Sequence, residues 1–435
     1  MERFFRKEIK MIIHVVKPGE TVYSIARQYS ASPTQIIRDN GLGPSGQCAL
    51  GQALIVAIPK VTYTVEPGDT LFSIAIKYKM GVNQLRRNNP ALMGNDTIYP
   101  GQVLIISYGE EKVGTLASGG YAYPFIKDET LRRTLPFLSF LTPFTYGFTA
   151  EGELISPEDA RLVERAKEYG AMPVMMLSSL NDKGNFDNTL TSLLLNDTEL
   201  QDALLDNVVS NMNILGYRAL DIDFEFIYPK ERDKFTAFVA KAKEKLAPYG
   251  YKVWVALAPK SSDDQMGILY EAHDYKALGE IADKVLLMTY EWGYSRGPAL
   301  PVSPLDKVRE VVKYAVSEID PEKIFLGIPN YGYDFIIPFD KNSPPARTIS
   351  NEEAVRLAIE TGSEIMFDEK SQTPYFNYTR GGETHEVHFE DARSVTQKLA
   401  LANEFGLFGI GVWNIMNFFS QLWVVFNLLY NQRKI

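Results

Sequence analysis

The chain has 435 residues, 45% hydrophobic and 23% charged, which excludes a disordered polypeptide and is long enough for two or three domains. A net charge of −9 argues against a nucleic-acid or anionic-membrane partner. The single cysteine, Cys48, excludes an internal disulfide framework.

At the N-terminus, residues 1–10 mix acids with bases, and the apolar run over 11–16 is too short for the core of a signal peptide. No secretory leader is therefore expected. The chain then repeats itself. Residues 15–26 read VVKPGETVYSIA and residues 64–75 read TVEPGDTLFSIA; 36–40 (IIRDN) matches 84–88 (QLRRN), and 51–56 (GQALIV) matches 101–106 (GQVLII). A tandem module of about fifty residues is the simplest reading. In each copy a short strand meets a Pro-Gly turn, and Thr21 or Thr70 caps a helix. The apolar positions of that helix are Val22, Ile25, Ala26 and Tyr29, or Leu71, Ile74, Ala75 and Tyr78. A second short helix, a Gly-Gln turn and a closing strand complete a βααβ unit. Such a unit is too small to house much catalysis and suits either ligand capture on loops or a spacer role.

These units resemble LysM modules, which bind glycans containing N-acetylglucosamine, such as peptidoglycan and chitin. The Pro-Gly-Glu/Asp-Thr entry, the Ser-Ile-Ala helix and the Gly-Gln exit carry the resemblance over 12–58 and 61–107. It implies glycan contacts at Gly19 and Thr21 in the first module, and at Gly68, Asp69 and Thr70 in the second.

Beyond a short linker at 109–119, eight strand-like runs follow at 120–124, 137–146, 172–177, 219–227, 252–258, 284–289, 323–328 and 408–414. Helical runs at 156–169, 198–215, 231–246, 275–282, 305–319 and 391–405 separate most of them. The expected fold class is α/β, a (β/α)8 TIM barrel over 118–435 behind the two modules. The stretch 335–390 is too long for a loop and reads as an inserted small α+β piece, with a helix at 351–361 and strands at 364–368, 375–379 and 386–389. Within it, His385 and His388 fall on opposite faces of a strand, so no metal site is expected. Residues 406–431 carry no charge, but their polar residues suit a buried strand followed by a helix better than a membrane span.

Barrel chemistry sits at the C-terminal ends of the strands. There the fourth strand places Asp221, Asp223 and Glu225 on one face, with Leu220, Ile222, Phe224 and Phe226 opposite. Three carboxylates in one buried place raise one another's pKa and titrate as a cluster. This strand resembles that of the family 18 glycoside hydrolases, the chitinase-like enzymes, whose pattern is D-x-x-D-x-D-x-E. The first acid is replaced here by Arg218. The stretch 287–292 (LMTYEW) resembles the family's Met-x-Tyr-Asp, with Glu291 one methylene longer, and 409–413 (GIGVW) supplies Trp413.

The resemblance implies a retaining N-acetylglucosaminidase in which the substrate's acetamido carbonyl attacks its own anomeric carbon. It implies Glu225 as general acid and base, Asp223 as the group that orients the acetamide, Asp221 as its proton-sharing neighbour, and Tyr290 as a donor to the acetamide oxygen. Trp413 would floor the sugar site; a core tryptophan is the plainer alternative. Glu291, Tyr146, Asn330 and Tyr331 are further substrate-binding candidates. No cofactor and no metal are expected, and a monomer is. With two LysM units in front, the chain resembles the spore cortex-lytic N-acetylglucosaminidases of spore-forming Firmicutes. That subgroup implies cortex peptidoglycan or its fragments as substrate and a spore-coat, cortex or cell-wall location. Chitin oligomers as substrate, or an inactive wall-binding lectin or coat protein, are the competing readings.

Overall fold

The computed structural model describes residues 11–92, 94, 96–109, 111–181 and 183–435. The leader-free reading of the N-terminus falls mostly on residues 1–10, outside that set. Eight strands form the barrel: β1 (Gly114–Ala122), β2 (Phe140–Pro143), β3 (Met172–Ser178), β4 (Ala219–Asp223), β5 (Lys252–Leu257), β6 (Lys284–Leu287), β7 (Ile324–Pro329) and β8 (Gly409–Trp413). Neighbours pair in chain order, all parallel, and β8 returns to β1 with Gly409 opposite Ala117 and Trp413 opposite Tyr121. The barrel is closed.

The period of two along a strand divides each between two cores. In β4, Leu220 and Ile222 point outward under the helices and are fully buried, as is Phe224 just beyond the strand, while Ala219 points inward beside Phe140, Trp254 and Phe325. Phe226 does not continue this row: it is exposed and its backbone is left-handed, with φ 54. β1 starts inside the expected linker. Its glycines hide the strand pattern, because neighbouring side chains fill the space theirs would take: a Cβ on Gly119 would lie 1.8 Å from the Phe140 ring.

After β7 the chain forms a five-stranded antiparallel sheet in the order Arg347–Ile349, Gly332–Ile337, Glu383–His388, Thr373–Arg380 and Met366–Asp368. Its first strand begins at Gly332, three residues earlier than expected, and with Arg347–Ile349 was not legible as strand. His385 Nδ1 lies 2.9 Å from an Asp334 carboxylate oxygen and His388 Nε2 lies 2.8 Å from Glu386. Among the described residues no group of three or more His, Cys, Asp or Glu is placed to hold a metal, and no helix is long and apolar enough to cross a membrane.

Each front module is a two-stranded antiparallel sheet with two helices. In the first, the Asn40 side chain bonds to Ile36 and to both backbone groups of Ile55; in the second, Asn89 bonds to Leu85 and to both backbone groups of Ile105. Asn40 thus corresponds to Asn89, one residue later than the sequence match suggests, and Asp39 corresponds to Asn88.

That correspondence isolates an oddity. Asp39 is 3% exposed, and burial pushes its carboxyl up to about 7, against hydrogen bonding from Gln35 and the charge of Arg38. The folded state holds the proton more tightly than the unfolded chain. The contribution of Asp39 to stability therefore falls as pH rises from about 4 to about 7 and is level above that. Asp39→Asn, which installs the amide of the second module, is expected to raise the thermal midpoint at about pH 8 and leave it nearly unchanged at about pH 4. The gain is at most about 4 kcal/mol. Equal midpoint shifts at both pH values, measured by calorimetry, would remove the explanation.

Both modules dock on one barrel helix, Ser420–Leu429, all ten residues of which are buried. Gln421 Nε2 donates to Asn40 Oδ1 at 2.9 Å and to the Ala53 carbonyl at 2.8 Å; Asn427 Nδ2 donates to Asn88 Oδ1 at 3.0 Å. The Ile365 amide donates to the Leu50 carbonyl at 2.8 Å, joining the first module to the inserted sheet. The C-terminal stretch is free of charge because its strand closes the barrel and its helix lies between the barrel and the modules.

Candidate active site

A cavity of about 510 Å³ opens at the C-terminal ends of the barrel strands. Asp223 and Glu225 enter it from the end of β4, Tyr290, Glu291 and Trp292 from the turn after β6, and Trp413 from the end of β8. Asp221 lies beneath, 1% exposed, and accepts a hydrogen bond from the Tyr121 hydroxyl at 2.9 Å. The acids thus descend from the cavity into the barrel, as a period-two strand carries them.

Burial dominates their titration. It pushes Asp221 up to about 6, moderated by the Tyr121 hydroxyl. Asp223 is pushed well above the carboxylate range by burial, then by the charges of Glu225 and Asp221. Glu225 is raised by burial and by the charge of Glu291. One oxygen of Asp221 and one of Asp223 are buried without a hydrogen-bond partner among the described residues. An unmet buried acceptor is costly, so these carboxyls are poised to hold protons or to receive donors from a ligand. No hydrogen bond reaches Glu225 among the described residues, and it is half-buried, facing the cavity.

Aromatic rings make the walls. Trp413 packs against Phe144 with ring centroids 4.7 Å apart and against Tyr121 and Tyr123 at 6.1 Å each, so it is both a cavity wall and the cap of the inner core. Tyr290 is half-buried at the cavity, and its hydroxyl is raised well above the usual value by burial and the acids around it. This is a carboxylate pair in an aromatic cleft of sugar size.

Residues 127–417 match the model of the glycosyl hydrolases family 18. The chain belongs to family 18. It is a glycosidase. The LysM domain model matches residues 14–57 and 63–107. A cortical fragment-lytic enzyme of Bacillus anthracis is 39% identical over 419 residues, covering 94% of this chain and 96% of the relative. The crystal structure of the Bacillus cereus spore cortex-lytic enzyme SleL is similar with a TM-score of 0.83 and 36% identity, over 98% of this chain and 99% of that one. A chitinase of Chromobacterium violaceum, 23% identical with a TM-score of 0.67 over 73% of this chain, shares the fold.

Within this family 18 barrel the two departures from the motif pattern lie at different depths. Arg218 is exposed, before the first residue of β4, at the end of the barrel away from the cavity. Glu291, left-handed with φ 67, accepts hydrogen bonds from the hydroxyls of Tyr331 and Tyr333, the latter at 3.0 Å. The longer acid is thereby pinned at the rim.

Three of the expected substrate contacts do not reach the cavity. Tyr146 is fully buried, and its hydroxyl donates to Asp159 at 2.9 Å. β2 ends at Pro143, so alternation no longer governs, and Phe144 takes the wall position. Asn330 uses its amide to donate to the carbonyls of Asn414 and Asn417 at 2.9 and 2.8 Å, tying the ends of β7 and β8. Tyr331 is buried behind Glu291 and acts through it. Conversely, Tyr123, Phe144, Phe186, Tyr270, Trp292 and Tyr294 line the cavity and were not singled out. Most sit on loops without a motif; Trp292, next to Glu291, was the one within reach.

In the modules, Thr21 and Thr70 cap their helices, accepting from the Ser24 and Ser73 amides at 3.1 and 3.0 Å. Asp69 accepts from the Tyr63 hydroxyl at 2.7 Å and the Glu66 amide at 2.8 Å. Gly19 and Gly68 have φ of 79 and 90, as the Pro-Gly turns require. A separate cavity of about 420 Å³ lies between the modules, and none of these five residues lines it.

Proposed function

We propose that this family 18 glycosidase cleaves after N-acetylglucosamine in spore cortex peptidoglycan or its fragments, with retention, using the substrate's acetamido group as nucleophile. The arrangement of Asp223 beneath Glu225 carries the reading. Glu225 faces the cavity with a raised pKa, so it is protonated at higher pH than a free glutamate and can protonate the leaving oxygen, then activate water. Asp223, with an unpaired buried oxygen, suits an acetamide N–H and the positive charge of an oxazolinium-like ring. Asp221 shares the proton load below it. Tyr290 would hold the acetamide oxygen and Trp413 the apolar side of the sugar. The substrate, not a second carboxylate, supplies the nucleophile. The LysM modules and the cortex-lytic relatives support an association with spore cortex or cell wall, and Gly19, Thr21, Gly68, Asp69 and Thr70 form exposed or half-exposed turns suited to glycan strands.

Digestion of purified cortex and chitin side by side, with mass spectrometry of the products, tests this. Cortex fragments ending in reducing N-acetylglucosamine are expected. Muramic lactam ties its amide into a ring, so the amide carbonyl cannot reach the anomeric carbon; products ending in reducing lactam would refute the mechanism. Preferential digestion of chitin would refute the substrate.

The charge of Glu291 helps hold the Glu225 proton in place. Removing it lowers that pKa, so Glu291→Gln is expected to move the alkaline limb of the kcat/KM profile to lower pH. A limb that stays put or moves up would disconnect Glu291 from the acid.

A further inference from the structure

His273 is 1% exposed and sits between β5 and the helix Tyr275–Ile281. Its Nδ1 faces the backbone amide of Ala258 at 2.8 Å, and its Nε2 faces the carbonyl of Phe224 at 3.2 Å. An amide only donates and a carbonyl only accepts, so Nδ1 is bare and Nε2 carries the proton. Both bonds together require the neutral ring in this tautomer. Burial supports it, pushing the imidazole down to about 4.

The two tethered groups are not arbitrary. Ala258 immediately follows β5, and Phe224 immediately precedes Glu225. The ring therefore ties the end of β4, at the residue before the candidate acid, to the end of β5. The same segment fastens the far side: the Tyr275 hydroxyl donates to the Ala258 carbonyl at 2.5 Å and accepts from the Lys260 amide at 3.0 Å, and Lys260 Nζ donates to the His273 carbonyl at 3.0 Å.

Glu225 depends on such a tie for two reasons. Its carboxyl has no hydrogen bond among the described residues, so its place is set by its backbone. On its other side, Phe226 is left-handed with φ 54. A bulky residue there is strained by on the order of 1 kcal/mol or more, and persists only where the surroundings hold it. The Phe224 ring, stacked on Phe238 at 5.7 Å and 16°, anchors one side chain of this turn; His273 anchors its carbonyl.

We infer that His273 is a positioning residue that holds Glu225 in its reactive place through the Phe224 carbonyl. The inference rests on Glu225 being the acid. The test is a double-mutant cycle on the full chain with cortex fragments as substrate, monitoring thermal midpoint, kcat and KM. His273→Asn is too short to reach Phe224 and is expected to lower kcat about tenfold or more, with KM within about twofold. His273→Gln can return a donor to that carbonyl and is expected to recover most of the rate. In a Glu225→Gln background neither substitution should change the residual rate more than about twofold, because a positioning effect has no acid left to act on. Wild-type kcat in His273→Asn, or the same fold loss in both backgrounds, would overturn the inference. Should His273→Asn fail to fold, His273→Leu, which fills the space but offers no donor to Phe224, takes its place in the cycle with the same expected loss of kcat and the same refuting outcomes. Wild-type activity in Glu225→Gln alone would refute the acid assignment and, with it, the role of His273.

Discussion

Glu225→Gln is expected to lower kcat by about two to four orders of magnitude while leaving glycan binding nearly unchanged. Glutamine keeps the volume and shape that line the cavity and removes the proton. Among the described residues the side chain makes no hydrogen bond, and its ionised form is disfavoured by burial and by the Glu291 charge. The substitution therefore relieves a small electrostatic load instead of breaking a contact, and the thermal midpoint should hold or rise slightly. The measurements are single-turnover rates on cortex fragments and calorimetric affinity for the same fragments. A variant within a few-fold of the wild-type rate would reject Glu225 as the acid. A variant that loses affinity in proportion to rate would instead assign it a binding role.

Deleting residues 1–107 is expected to destabilise the barrel as well as weaken wall binding. Modules on a flexible tether would leave the barrel unaffected, but these modules cover the helix Ser420–Leu429. Ile55 and Ala57 belong to the same buried cluster as Trp423, Phe426 and Leu429, and Met11 and Ile13 pack against that cluster. Removing several such side chains costs about 5 kcal/mol of apolar burial, and the hydrogen bonds of Gln421 and Asn427 to the modules are exchanged for water. The thermal midpoint should fall by about 5 to 10 °C. Below that midpoint, hydrolysis of small fragments should continue, since no described residue of the modules lines the catalytic-end cavity. Retention on insoluble peptidoglycan should fall about a hundredfold or more with the loss of linked sites. An unchanged midpoint would show that the docking contributes nothing to stability, and unchanged retention would count against glycan binding by the modules.

The repeat, the alternation of strands with helices and the acids of β4 were all legible in the residues, because each is a local pattern. A period of fifty, a period near 3.6 and a period of two survive in one dimension. They yielded the two modules, the barrel, and Asp223 and Glu225 at its mouth. They failed where the third dimension breaks the period. β1 was cut short because its glycines carry no side-chain pattern, their space being filled by Phe140. Tyr146 stands at the end of the strand-like run 137–146, but the strand stops at Pro143 and the tyrosine turns into the core. Asn330 and Tyr331 occupy strand ends, yet the first braces a loop and the second holds Glu291. The charge-free helix near the C-terminus announced burial but not by what. The tie from His273 to the residue before Glu225 joins positions about fifty residues apart through a single hydrogen bond. Local pattern determined which elements form and which face each buries; only packing decided which side chains meet, because contacts between distant segments depend on shape and hydrogen-bond geometry that leave no periodic trace in the chain.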